Sequence, residues 1–236
     1  MEGRVPWRIG DLAAAAALVF VSFLVIQALV VLVADAGEAT EPDLLTPWIL
    51  GALEGLMLLV VWAFAVRRYR VSWGSVGVRL PKARSGPRSL STLWATIIVL
   101  PMVALLMSLV ATGAYGAMVD ALGVEALQPS PVPDEFLGSG ITRLLLSAVI
   151  VLWGPFVEEV FFRGFLLGGL IAPLGAARAA VVSAAIFAVA HIEIGSMIPL
   201  FITGLVLAWL YLRTRSIWPP LMAHAAQNLL AISFAV

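Results

Sequence analysis

The sequence predicts an all-α fold, a polytopic membrane helical bundle of about seven transmembrane helices. Hydrophobic residues make up 62% of the 236 residues and charged residues only 12%, whereas soluble domains carry about twice that charged fraction. Nearly every long segment is apolar all round, which is typical of helices buried in lipid. The alternating pattern of a membrane barrel is absent from the sequence. With no cysteine and zero net charge, the composition also excludes disulfides and thiolate chemistry and suggests no nucleic-acid partner.

Seven apolar segments approach the length of about 20 residues that a helix needs to cross the hydrocarbon core. The fourth is too long for one straight crossing, and Gly154 and Pro155 predict a kink or a break within it. Basic residues precede the first segment, as in a cleavable signal peptide. Its apolar run is, however, longer than the roughly 7 to 15 residues usual for the core of such a peptide. The predicted spans are Leu12 to Val33, Pro47 to Val66, Leu90 to Ala111, Ile141 to Ile171, Ala177 to Ile192, Met197 to Leu212 and Ile217 to Val236.

The charges of the connecting loops predict the orientation, because cytoplasmic loops are rich in lysine and arginine. The connection Arg67 to Ser89 carries seven basic residues, and seven spans with this alternation place the N-terminus in the cytoplasm and the C-terminus outside. The same connection either lies on the anionic lipid surface or is a solvated loop. The proline-containing segment Gly113 to Gly140 is expected to form an irregular cap on the outer side.

A few ionisable residues lie deep in the apolar spans, where they are costly and usually functional. Glu158 and Glu159 stand side by side within Val149 to Leu174, and the chain has only two histidines, His191 and His224. With a helical rise of about 1.5 Å per residue, all of them lie roughly 14 to 20 Å from the cytoplasmic ends of their spans. This shared depth predicts one common cavity near the middle of the bilayer.

Helical spacing predicts local partners within this layer. Glu159 and Arg163 are four residues apart on one helical face, which favours an ion pair and leaves Glu158 free. His224 and Asn228 have the same spacing and together could face a developing oxyanion. The alternative is that the histidines and Asn228 are polar contacts between helices. For Glu54, in the second span, a supporting contact, a proton path and a packing role all stay open, and we do not assign it a catalytic role.

Three motifs carry a resemblance to a known family. They are EExxxR from Glu158 to Arg163, FxxxH from Phe187 to His191 and HxxxN from His224 to Asn228, in this order within residues 139–236. Together they resemble the CAAX protease and bacteriocin-processing (CPBP, or Abi) family of intramembrane proteases, which includes the type II CAAX prenyl endopeptidases. The resemblance implies a catalytic core of four spans over residues 139–236. Residues 1–138 would form a variable N-terminal region of three spans with amphipathic connections.

The resemblance implies an intramembrane endopeptidase. Its substrate would be a membrane-associated protein, such as a prenylated CAAX-type protein, or a small peptide. Glu158 would act as general base on a water that His191 also holds, and the oxyanion would be stabilised from the last motif. The catalytic residues implied in this way are Glu158, Glu159, Arg163, His191, His224 and Asn228.

The resemblance leaves open whether the protease uses a metal. Glu158, His191 and His224 could supply three ligands to zinc with a fourth position open. A metal-free glutamate mechanism uses the same residues, and we favour it slightly because Asn228 is a poor zinc ligand and a good hydrogen-bond donor.

Two other functions are compatible with the composition: a non-catalytic immunity or scaffold protein of the same fold, and a small proton or ion carrier. A carrier predicts ionisable groups at several depths, whereas here they cluster in one layer. We expect membrane lipids and a membrane-associated substrate as partners, and a multi-pass location in a bacterial cell membrane. The oligomeric state does not follow from the sequence.

Overall fold

The structure is a computed structural model that describes residues 5–35, 44–81, 93–129 and 137–233. Within these ranges the chain forms helices and connecting turns and no strand. The protein is therefore an all-α membrane bundle, as its composition predicts.

The described helices match the predicted apolar segments in order. Four of them, α2, α3, α4 and α6, are long and apolar enough to cross a membrane. Helix α5 is shorter, as is Ile9–Val25, the continuous part of α1 whose side chains the structure describes. The helices are α1 (Ile9–Asp35), α2 (Thr46–Arg67), α3 (Ala95–Leu122), α4 (Gly140–Leu174), α5 (Ala176–Ala190), α6 (Met197–Thr214) and α7 (Trp218–Ser233).

Helix α3 extends further than the sequence predicts. The expectation of an irregular cap from Gly113 onward is wrong for its first part, because the helix continues through Gly113 and Gly116 to Leu122. A helical glycine costs only about 1 kcal/mol relative to alanine, and the apolar neighbours outweigh that cost. The helix ends at Gly123, whose φ of +65° suits a residue without a side chain. Residues 130–136, with two of the predicted prolines, lie outside the described residues.

Helix α4 contains Pro155 without breaking. The residues before Pro155, Val149–Trp153, form a wide π-helical turn, and the Gly154 N–H bonds the carbonyl of Val149 five residues back. In the same pattern the Ile150 carbonyl would accept a hydrogen bond from the nitrogen of Pro155. That nitrogen carries no hydrogen, so the carbonyl has no such partner within the helix. The side chain of Asn228 on α7 donates to this carbonyl instead, at 2.9 Å. Where the sequence predicted a kink or a break, α4 therefore continues as a widened helix. Asn228 of α7 supplies a hydrogen bond that α4 does not make itself.

Part of the basic connection after α2 is bound tightly to the bundle. Val76 is fully buried, and its carbonyl lies against Gly164 of α4 so closely that a Cβ there would overlap it. The Ile217 N–H donates to the Gly77 carbonyl at 3.0 Å, and Arg79 Nε donates to the Arg215 carbonyl at 2.8 Å. For this part of the connection, neither of the two expected positions, on the lipid surface or in solvent, is right. Residues 82–89 of the connection lie outside the described residues.

The contact between Gly164 and Val76 predicts that Gly164→Ala is strongly destabilising. The new methyl group must displace backbone rather than a flexible side chain, so the cost lies near or above the usual overpacking range of about 1 to 3 kcal/mol. Gly116→Ala on α3 is the matched control, because a Cβ there meets nothing within 4 Å. Thermal unfolding in detergent should show a lowered midpoint for the first variant and an unchanged or raised midpoint for the second. Equal midpoints would contradict the assigned contact.

Candidate active site

The EExxxR motif of α4 forms a buried ion pair. Glu159 and Arg163 are 0% and 1% exposed, and Arg163 Nη1 lies 3.0 Å from Glu159 Oε1. The guanidinium carbon also lies 4.4 Å from the centroid of the Phe187 ring. The pairing expected from the spacing of four residues is thus present, within a second π-helical segment, Glu159–Leu167. It places a compensated charge among aromatic rings.

His224 lies between the two glutamates. Its Nδ1 is 3.0 Å from Glu159 Oε1, and its Nε2 is 3.8 Å from Glu158 Oε2. Because a carboxylate only accepts hydrogen bonds, Nδ1 carries a hydrogen and Nε2 is the nitrogen that faces Glu158. The distance of 3.8 Å is too long for a direct hydrogen bond and leaves space for an atom that contacts both groups. Helical spacing paired His224 with Asn228 and the resemblance grouped it with Glu158, whereas the structure places it beside both acids.

His191 lies immediately after the C-terminal end of α5. Its Nδ1 is 2.8 Å from the Phe187 carbonyl, and since a carbonyl can only accept, Nδ1 is the protonated nitrogen and Nε2 offers a lone pair. The Phe187 ring is packed between the two imidazoles, with centroid distances of 4.7 Å to His191 and 5.8 Å to His224. The phenylalanine of the FxxxH motif therefore lies between the two histidines, a role that the motif alone did not reveal.

His191, His224 and Asn228 line one cavity of about 200 Å³. The hydrogen bond from Asn228 to Ile150 uses one amide hydrogen, so the second remains available. A neighbouring bond, from Gln227 Nε2 to Thr203 Oγ1 at 3.2 Å, joins α7 to α6 and was not foreseen from the sequence. Of the residues predicted to share one cavity, Glu158 and Glu159 are not among those that line it, and Glu159 contacts the lining residue His224.

Glu54 of α2 reaches the same site. A Cβ built on Gly154 would lie 3.9 Å from the Glu54 carboxyl carbon, and Gly154 is one turn before Glu158 on α4. The carboxyl groups of Glu54 and Glu158 are close enough to interact electrostatically. Oxygen Oε2 of each is buried without a hydrogen-bond partner among the described residues. The structure thus connects Glu54 to the acid that the resemblance names as general base.

The geometry does not form the zinc site that the resemblance left open. Among the described residues, no group of three histidine, aspartate or glutamate side chains could hold a metal ion. His224 Nδ1 is committed to Glu159 and His191 Nδ1 to a backbone carbonyl. These bonds leave the Nε2 atom of each histidine free, but Glu158, His191 and His224 do not form a group that could hold a metal ion, and we derive no step through a metal.

A second, larger cavity, here called the lateral cavity, lies between α2, α4 and α7 and opens at the side of the bundle. Its volume is about 690 Å³ and its walls are almost entirely apolar. Its walls come from the same helices that carry Glu158 and His224, but it shares no lining residue with the cavity at the histidines. The aromatic side chains that line it are Trp48, Trp153, Phe156 and Trp218.

Comparisons with known proteins agree with the motifs. The family model described as Type II CAAX prenyl endopeptidase Rce1-like matches residues 140–230, which contain all three motifs. The chain is also 31% identical over 85 residues to a protein of Bacillus subtilis (strain 168) named "Putative membrane peptidase YdiL". That alignment covers 36% of this chain and 34% of the relative, so the chain spans about a third of the length of this curated relative. No solved structure matches the chain. Over residues 140–230 the chain is therefore similar to the type II CAAX prenyl endopeptidase Rce1-like family.

Proposed function

We propose that the protein is an intramembrane endopeptidase of a bacterial cell membrane that hydrolyses a peptide bond with a water activated by Glu158. The observation that carries this proposal is the position of His224 between Glu159, at 3.0 Å, and Glu158, at 3.8 Å. A general base, an oriented imidazole and a neighbouring cavity are the parts that peptide hydrolysis needs.

The proposed reaction begins with a water between Glu158 Oε2 and His224 Nε2. Glu158 accepts one proton from this water while the oxygen attacks the carbonyl carbon of the substrate, and a tetrahedral oxyanion forms. The imidazolium form of His224 donates from Nε2 to this oxyanion, because its Nδ1–H is already held by Glu159. Glu158 then gives the proton to the leaving nitrogen, the C–N bond breaks, and a carboxylic acid and an amine result.

The remaining motif residues position these groups. Arg163 holds the Glu159 side chain in place, and Glu159 orients His224, much as an acid orients the imidazole in a hydrolase triad. His191 offers the Nε2 lone pair to the water or to the leaving amine from the other side of Phe187. Asn228 can direct its second amide hydrogen toward the oxyanion while the first holds Ile150.

The lateral cavity supports a lipid-modified substrate. Its apolar walls can bury an isoprenoid chain, and burial of apolar area contributes about 25 cal/mol per Å². A prenyl group lying there would bind to α4 and α7, the helices that carry Glu158 and His224. We therefore propose a prenylated CAAX-type peptide as the favoured substrate class.

Replacement of Glu158 tests the proposed base. Glu158→Gln keeps the size of the side chain but cannot accept the water proton, so cleavage of a prenylated CAAX-type peptide in liposomes should fall by about 10²- to 10⁴-fold. Glu125→Gln, an exposed glutamate after α3, is the matched control and should cleave at the wild-type rate. If the Glu158 variant also cleaved at that rate, the protein would be better explained as a non-catalytic binder.

A chelator tests the metal-free route in the same assay. Because no three ligands converge in the described residues, a strong chelator should leave the cleavage rate unchanged. Loss of activity that zinc alone restores would show that the metal-free mechanism is wrong.

The role of the lateral cavity is tested at its rim. Trp48 is 67% exposed and lines the cavity, so Trp48→Ala should lower kcat/KM for a prenylated peptide by about fivefold, equivalent to roughly 1 kcal/mol of lost apolar contact. The unprenylated peptide should be affected much less. Trp94→Ala is the control, because Trp94 is 63% exposed and is not among the lining residues. Equal losses for both peptides would contradict this substrate class.

A further inference from the structure

We propose that Glu54 is a positioning residue for Glu158: its side chain is a neutral carboxylic acid that donates a hydrogen bond to Glu158. The hydrogen bond itself follows from geometry and charge. Only its effect on cleavage rests on the proposed function, in which Glu158 is the general base. Glu54 lies outside residues 140–230, the segment that the family model matches.

The first support is the way α2 brings Glu54 to the site. Gly51 and Gly55 flank Glu54 along α2, and Trp153 of α4 packs against both glycines. Trp153 Nε1 donates to the Gly51 carbonyl at 2.8 Å, which fixes α2 against α4. With no side chain at Gly154, the Glu54 carboxyl can approach the α4 backbone one turn before Glu158.

The second support is two carboxyl oxygens that need a partner. Oε2 of Glu54 and Oε2 of Glu158 are both buried, and neither has a hydrogen-bond partner among the described residues. A buried polar atom without a partner is costly, and two adjacent carboxylates cannot both ionise easily in an apolar setting. One proton on Glu54 removes the repulsion and supplies a donor to Glu158.

The third support is the balance of charge in the buried layer. Arg163 is 3.0 Å from Glu159, and His224 lies between Glu159 and Glu158. Arg163 and His224 together supply at most two positive charges to these two carboxylates. An ionised Glu54 would add a third negative charge without a partner, and an uncompensated charge in an apolar interior is strongly unfavourable.

A hydrogen bond from Glu54 would benefit the proposed base in a definite way. It would hold the Glu158 carboxylate in one rotamer, with Oε2 directed toward the water and His224. Preorganisation of this kind acts on the chemical step more than on substrate binding. The expected signature of its loss is therefore a lower kcat with a KM close to that of the wild type.

Two variants of similar size separate donation from packing. Glu54→Gln keeps an N–H donor and should retain most of the wild-type kcat for the prenylated peptide. Glu54→Met fills similar space without a donor, and its kcat should fall by about 10- to 100-fold, as expected for loss of a hydrogen bond to a charged group. Glu125→Gln and Glu125→Met supply the matched control at an exposed glutamate.

Each other outcome overturns the proposal. A Glu54→Met protein with wild-type kcat would mean that Glu54 only fills space. A Glu54→Gln protein as slow as Glu54→Met, with both unfolding at the wild-type temperature, would mean that an ionised carboxylate is needed there.

Infrared spectroscopy of the protein without substrate tests the hydrogen bond independently of cleavage. At neutral pH the wild-type protein should show the carbonyl stretch of a protonated carboxylic acid, and Glu54→Gln should remove it. Glu158→Gln should shift its frequency, because the acceptor changes from a carboxylate to an amide. Absence of the band, or a frequency that is the same in Glu158→Gln, would overturn the proposal. If the band behaves as expected and no peptide is cleaved, the protease function fails and the hydrogen bond stands.

Discussion

The ion pair between Glu159 and Arg163 is the interaction on which the rest of the site depends. A charge this deep in an apolar bundle persists only when its partner is fixed and near, since removing one member leaves the other buried and uncompensated. Here one oxygen of Glu159 contacts both Arg163 of α4 and His224 of α7, and the guanidinium lies over Phe187 of α5. Three helices are thereby held in one relative orientation, and that orientation places His224 beside Glu158.

The irregular geometry of α4 also helps to hold the helices of the site together. Wide turns on both sides of Gly154–Glu158 leave carbonyl groups that the helix does not satisfy itself, and such π-helical turns are frequent at functional sites. Asn228 satisfies one of them, at Ile150, so the last helix is bound to α4 by two side chains of a single motif. The HxxxN pattern therefore has a structural role beside its proposed catalytic one.

The N-terminal half contributes to the core although the family match begins at residue 140. Trp7 Nε1 donates to the Phe165 carbonyl at 3.0 Å, Val76 lies against Gly164, and Glu54 reaches Gly154. These contacts cross the predicted boundary between residues 138 and 139. The segment of α4 that carries the acids is consequently enclosed by parts of the chain that the three motifs do not include.

Hydrophobicity and spacing along one helix are local properties. The membrane bundle, the order of the helices and the Glu159–Arg163 pair could therefore be predicted from the residues. Partners on different helices depend on rotation and on the turns between them, which no local pattern encodes. Tertiary structure alone decided that His224 joins both glutamates, that Asn228 bonds Ile150, and that Val76 packs against Gly164. Spacing placed His224 and Asn228 on one face, but the widened α4 gave each a different partner.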